Sequence, residues 1–66
     1  MKLGMTLRQA RKYRELTQSD MAKRLGISRD TYIKLERNPD KCTMGMVREI
    51  SRVLDMPMNE IIFLTP

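Results

Sequence analysis

"TQSDMAKRLGISRDTYIKLER", Thr17 to Arg37, organises the whole chain. Two helix-like patterns flank a three-residue corner, Gly26-Ile27-Ser28. Thr17 caps the first, Asp20 completes a capping box, and Leu16 and Met21 have the spacing of a hydrophobic staple. That helix packs through Met21, Ala22 and Leu25 and ends at Gly26, where a left-handed residue carries no Cβ penalty. Ser28 caps the second helix, with Ile27 and Tyr32 again at staple spacing. It stops before Asn38-Pro39, because the residue ahead of a proline disfavours helical backbone. At ~100° per residue this second helix has two faces. Ser28, Tyr32, Leu35 and Glu36 lie on one; Arg29, Asp30, Ile33, Lys34 and Arg37 lie on the other. The corner sets the two helices at a wide angle and leaves the polar face free. A helix has the width to enter the major groove of DNA, where base edges can be told apart.

On the N-terminal side, Thr6 caps an earlier helix with Gln9 three residues on, and Leu7, Ala10 and Arg14 share its stripe. After the corner, Thr43 caps a fourth helix, flanked by a Cys42/Val47 pair. Its apolar stripe is Met46, Val47, Ile50, Val53 and Leu54, opposite Arg48, Glu49, Arg52 and Asp55. Pro57 suits the first turn of a fifth, with Met58, Ile61 and Ile62 facing inward. No strand alternation or internal repeat interrupts these patterns. The expectation is an all-α, compact five-helix domain over residues 1–66, with its helix-turn-helix at about 17–37.

Composition narrows the function. A chain of 66 residues has a small core and marginal stability. It contains no histidine and one cysteine, Cys42, so it offers no tetrahedral zinc set and no intrachain disulfide. Met1–Ala10 never forms an apolar run and no stretch is long enough to span a bilayer, which points to a soluble, cytoplasmic protein without membrane contact. The net charge of +5 is uneven. Residues 1–24 carry seven Lys/Arg against two acids, residues 25–42 four against three, and residues 43–66 two against three. Such a basic N-terminal part suits an anionic partner. Without a histidine, a glycine-rich phosphate loop or a pair of apolar-embedded carboxylates, the chain reads as a binder, not an enzyme, with no cofactor and no metal.

The order and spacing of Arg11, "LTQSDMAKRLGIS" (Leu16–Ser28), "TYIKLER" (Thr31–Arg37), "TMGMVREISRVLDM" and "PMNEIIFL" resemble the lambda-repressor-like (Cro/repressor, XRE-family) helix-turn-helix domains from about Thr6 to Leu64. The resemblance implies a five-helix bundle whose third helix reads the major groove of an operator, commonly as a homodimer and as a transcriptional repressor. An antitoxin that represses its own operon, with a toxin protein as partner, is the alternative the same resemblance allows. A protein-interaction module using the C-terminal apolar patch is another. Two departures stand out: Glu15 and Asn38-Pro39 occupy positions where members often carry glycine.

Arg29 and Lys34 are the main base-reading candidates, since each can donate to guanine O6 and N7. Thr31 and Arg37 suit phosphate or groove-wall contacts, and Ile33 could cover a thymine methyl. Asp30 could accept from cytosine N4, although an acid in a first turn also suits the helix dipole. The glutamine matching Gln18 touches the DNA backbone in the family and braces the recognition helix. Ser28, Asn38 and Lys41 complete the candidate DNA contacts, and Arg8 and Lys12 are generic phosphate candidates. Arg11 shares a buried stripe with Leu7 and Ala10, and Glu36 sits at the core edge; the family pairs these positions, implying a structural ion pair. Phe63 and Leu64 project away from the inward stripe of the expected fifth helix, leaving an apolar patch, and are read as the dimer contact, since such patches often mark association surfaces. Most of the seven methionines read as core filler.

Overall fold

Local chemistry fixes where each helix starts. The computed structural model describes residues 4–63, leaving aside the side chain of Ile62. Strand β1 (Met5–Thr6) leads into α1 (Leu7–Tyr13), followed by α2 (Gln18–Leu25), α3 (Arg29–Arg37), a 3₁₀ turn (Pro39–Lys41), α4 (Met44–Leu54), a second 3₁₀ turn (Met58–Glu60) and β2 (Ile61–Ile62). Thr6, Thr17, Ser28 and Thr43 each accept a hydrogen bond from the backbone N–H three residues on, at 3.0–3.1 Å. Gln9 and Asp20 return the bond to the cap backbone at 2.9 Å, closing two capping boxes.

Three helices end alike, with the chain turning left-handed. After α1, α2 and α4, Glu15 (φ 59°), Gly26 (φ 73°) and Asp55 (φ 54°) take that conformation. In each case the next residue's N–H bonds back five residues: Leu16 to the Arg11 carbonyl, Ile27 to Ala22 and Met56 to Ser51, at 3.0–3.2 Å. This is the Schellman closure, normally made with glycine. The absence of glycine at position 15 therefore does not prevent the left-handed end; a glutamate is held in it. Glu15→Gly is expected to stabilise the fold by about 1 kcal/mol, raising Tm by roughly 4–8 °C. Asp55→Gly should gain less, since Asp tolerates this region better. A calorimetric Tm for Glu15→Gly at or below wild type would contradict the account.

The expected fifth helix is absent. Pro57 is extended (ψ 144°), only Met58–Glu60 turn, and Ile61 is extended again (φ −113°, ψ 131°). The segment is too short to nucleate a stable helix, and its two isoleucines are β-branched residues that prefer extended backbone. It pairs in parallel with β1, Met5 opposite Ile61 and Thr6 opposite Ile62. Among the described residues the fold is thus four helices with two short 3₁₀ turns and a two-residue parallel ladder. Of the three residues expected inward, Ile61 is buried while Met58 is 42% exposed.

One core forms from Leu7 and Ala10 of α1, Met21 and Ala22 of α2, Tyr32 of α3, Ile50 and Leu54 of α4, and Met56 and Ile61. Met5, Leu16, Leu25, Ile27, Cys42, Met46, Val53 and Phe63 pack partly buried around it. Methionines serve on both sides: Met21 and Met56 are buried, whereas Met44 is 64% exposed. Arg14, expected in the buried stripe of α1, is instead exposed. Its Nε donates to the Leu54 carbonyl (2.7 Å) and its Nη2 to that of Asp55 (2.9 Å). A cation there satisfies the last carbonyls of α4 and complements its dipole.

Candidate nucleic-acid interface

α2 and α3 pack on each other across the Gly26 corner, burying Tyr32 and turning the opposite face of α3 outward. Arg29, Asp30, Thr31, Lys34 and Arg37 are exposed there, while Ile33 at the centre is half-buried. Among the described residues, Arg29, Lys34 and Arg37 make no ion pair, so their donors are open to a ligand. Ser28 and Thr31 are differently engaged: the Ser28 hydroxyl receives the Thr31 N–H and donates to Thr31 Oγ1 at 2.8 Å. Asp30 stands in the first turn, where a negative charge suits the dipole. Asn38 ends α3 in a non-helical conformation (φ −132°, ψ 72°). Lys41 is exposed at the end of the following turn.

Behind this face lies a polar cluster that joins three helices. Arg11 Nε of α1 meets Glu36 Oε2 of α3 at 2.5 Å, with side chains only 8% and 5% exposed. Arg11 Nη1 also donates to the Leu16 carbonyl at 2.7 Å. Gln18, the first residue of α2, donates from Nε2 to Glu36 Oε1 at 3.2 Å. Burial pushes the Glu36 carboxyl up, but the hydrogen bonds from Arg11 and Gln18 and the Arg11 charge outweigh it and hold the group below its ordinary value. The Glu36 hydrogen bond likewise raises the Arg11 guanidinium against the opposing effect of burial.

The Tyr32 hydroxyl is close enough to Glu36 and Arg11 to be felt electrostatically, yet among the described residues it is buried without a hydrogen-bond partner. Burial, followed by Glu36, raises its titration far above the usual range, so it stays protonated. A buried hydroxyl without a partner carries a desolvation cost. Tyr32→Phe is therefore expected to be neutral or up to about 1 kcal/mol stabilising, read by urea denaturation. Destabilisation beyond that would mean the hydroxyl is satisfied.

Phe63 packs half-buried against the core and forms one wall of an apolar groove of about 310 Å³, shared with Pro39, Asp40, Cys42, Met44 and Val47. Leu64, its expected companion, lies outside the described residues. No described helix is long and apolar enough to cross a membrane.

Sequence reading misses the role of Arg14, whose partners lie 40 and 41 residues away, and the Gln18–Glu36 contact. The first leaves no signal in the sequence. The second is half visible, since Gln18 and Glu36 each stand out but nothing in the sequence pairs them.

A family model described as "Helix-turn-helix" matches residues 7–61. No curated protein and no solved structure compared with the chain matches it. With the match spanning the four described helices and the corner between α2 and α3 within it, the chain belongs to the lambda-repressor-like (XRE) helix-turn-helix family of DNA-binding regulators.

Proposed function

We propose that the chain is a sequence-specific transcriptional repressor that binds double-stranded DNA as a homodimer, with α3 in the major groove. The observation that carries the reading is the outer face of α3. Arg29, Lys34 and Arg37 are exposed and unpaired among the described residues, on a helix held at its base by a buried ion pair. Arg29 and Lys34 are assigned to base edges, with Ile33 beside them. Gln18, Thr31, Arg37, Asn38 and Lys41 are assigned to backbone or groove wall, Ser28 and Asp30 to the start of the reading helix. Two copies would set their α3 helices in successive major grooves, roughly 34 Å apart. Phe63 and Leu64 are assigned to the contact between copies, where the groove beside Phe63 offers further apolar surface.

Selection from a random duplex library tests this, followed by salt titration on the winner and a scrambled duplex. A short inverted repeat preferred by about 10³ or more supports the reading. With ~6 phosphates contacted, log K should fall with log salt at a slope near −5. Equal, salt-labile binding to both duplexes would overturn it and turn the search to a protein partner.

A further inference from the structure

We propose that Glu36 is a positioning residue for the DNA contact of Gln18, an inference that rests on the DNA-binding reading above. Glu36 cannot serve as a contact itself, because its side chain is only 5% exposed. It reaches the half-buried Gln18 at the start of α2 through the 3.2 Å bond from Nε2 to Oε1. An ionised carboxylate accepts and never donates, so only the NH₂ side of the Gln18 amide can face it. That choice directs one amide hydrogen to Glu36 and leaves the second as the open donor of the side chain. A backbone phosphate is also acceptor-only and can take just this donor. If the amide were free to flip, its carbonyl would meet the phosphate and repel it. Arg11, at 2.5 Å on the other carboxylate oxygen, keeps Glu36 ionised and fixed in place. In the series Arg11, Glu36, Gln18, phosphate each donor meets an acceptor, so every step pairs complementary groups.

Glu36→Gln separates this role from simple electrostatics by its sign. Removing a negative charge near a DNA-binding face favours binding. Loss of the orienting acceptor weakens it, because the substituted amide can pair with either end of the Gln18 amide. The expected result is a three- to tenfold weaker Kd, about the worth of one ordinary hydrogen bond. The loss should be equal on the selected and scrambled duplexes, because a phosphate contact carries no sequence information. In a Gln18→Ala background the same substitution should change Kd by less than about twofold, as a double-mutant cycle requires when one residue acts through another. Binding by Glu36→Gln as tight as wild type or tighter overturns the proposal, as does an equal loss in both backgrounds.

Should Glu36→Gln fail to fold, the wild-type protein still decides the matter through ¹⁵N relaxation of the Gln18 side-chain amide. Order close to that of rigid backbone, about 0.85, supports the proposal, and a value below about 0.6 overturns it. If wild type binds no duplex at all, the DNA-binding reading fails and takes the phosphate contact with it. The relaxation measurement then reports separately whether Glu36 orients Gln18.

Discussion

Arg11→Met is expected to cost about 3–5 kcal/mol, because it strands the Glu36 carboxylate at the core edge without its cation. A chain of 66 residues rarely has more than about 3–5 kcal/mol in hand from a single small core, so the variant should be largely unfolded at room temperature. Circular dichroism and urea denaturation would read this directly. The double variant Arg11→Met/Glu36→Leu removes both charges and should regain most of the loss, since apolar replacements of buried pairs are often neutral or stabilising. A single variant within about 1 kcal/mol of wild type would mean that water reaches Glu36 and the pair is effectively a surface one.

The same pair sets an acid limit. Glu36 titrates below its ordinary 4.5 in the folded chain, as Asp20, held by the backbone and side chain of Thr17, does below 3.8. A carboxyl whose folded value is depressed contributes fully at pH above its unfolded value. That contribution is lost as pH falls through the folded value. Stability should therefore be flat above about pH 5 and fall below about pH 4. The denaturation midpoint of Arg11→Met/Glu36→Leu should fall less over that range, leaving the share due to Asp20.

The second large effect is on DNA. Arg29→Ala and Lys34→Ala should each remove about 1–3 kcal/mol of discrimination at one base position, while leaving binding to scrambled duplex little changed. Arg37→Ala or Lys41→Ala should instead weaken binding to all duplexes and flatten the salt slope by about one. Repeating the library selection with each variant distinguishes the two patterns. If Arg29→Ala and Lys34→Ala both keep the wild-type consensus, the proposed assignment of base reading to these two residues fails.

The four helix starts are legible in the sequence because a cap, its partner three residues on and the flanking staple all lie within one short window. Thr6, Thr17, Ser28 and Thr43 therefore stand in the sequence as they stand in the structure. The two faces of α3 are equally legible, since helical periodicity alone separates Tyr32 from Arg29, Lys34 and Arg37.

Other features depend on distant partners. Glu15 turns left-handed because Leu16 must reach back to Arg11 and then enter the core, which overrides the residue's own preference. Met58–Ile62 reads as a helix by its apolar spacing. Strand β1, more than 50 residues earlier in the chain, draws Ile61 and Ile62 into extended backbone instead. Arg14 looks like part of a buried stripe until the end of α4 supplies open carbonyls for it. Helix starts and the free face of α3 follow from interactions within one or two turns, so the amino-acid order alone was enough to specify them. The closure of the chain on itself, and the joining of Gln18, Glu36 and Arg11 into one polar cluster, came only with folding, because those bonds link residues that no local pattern brings together.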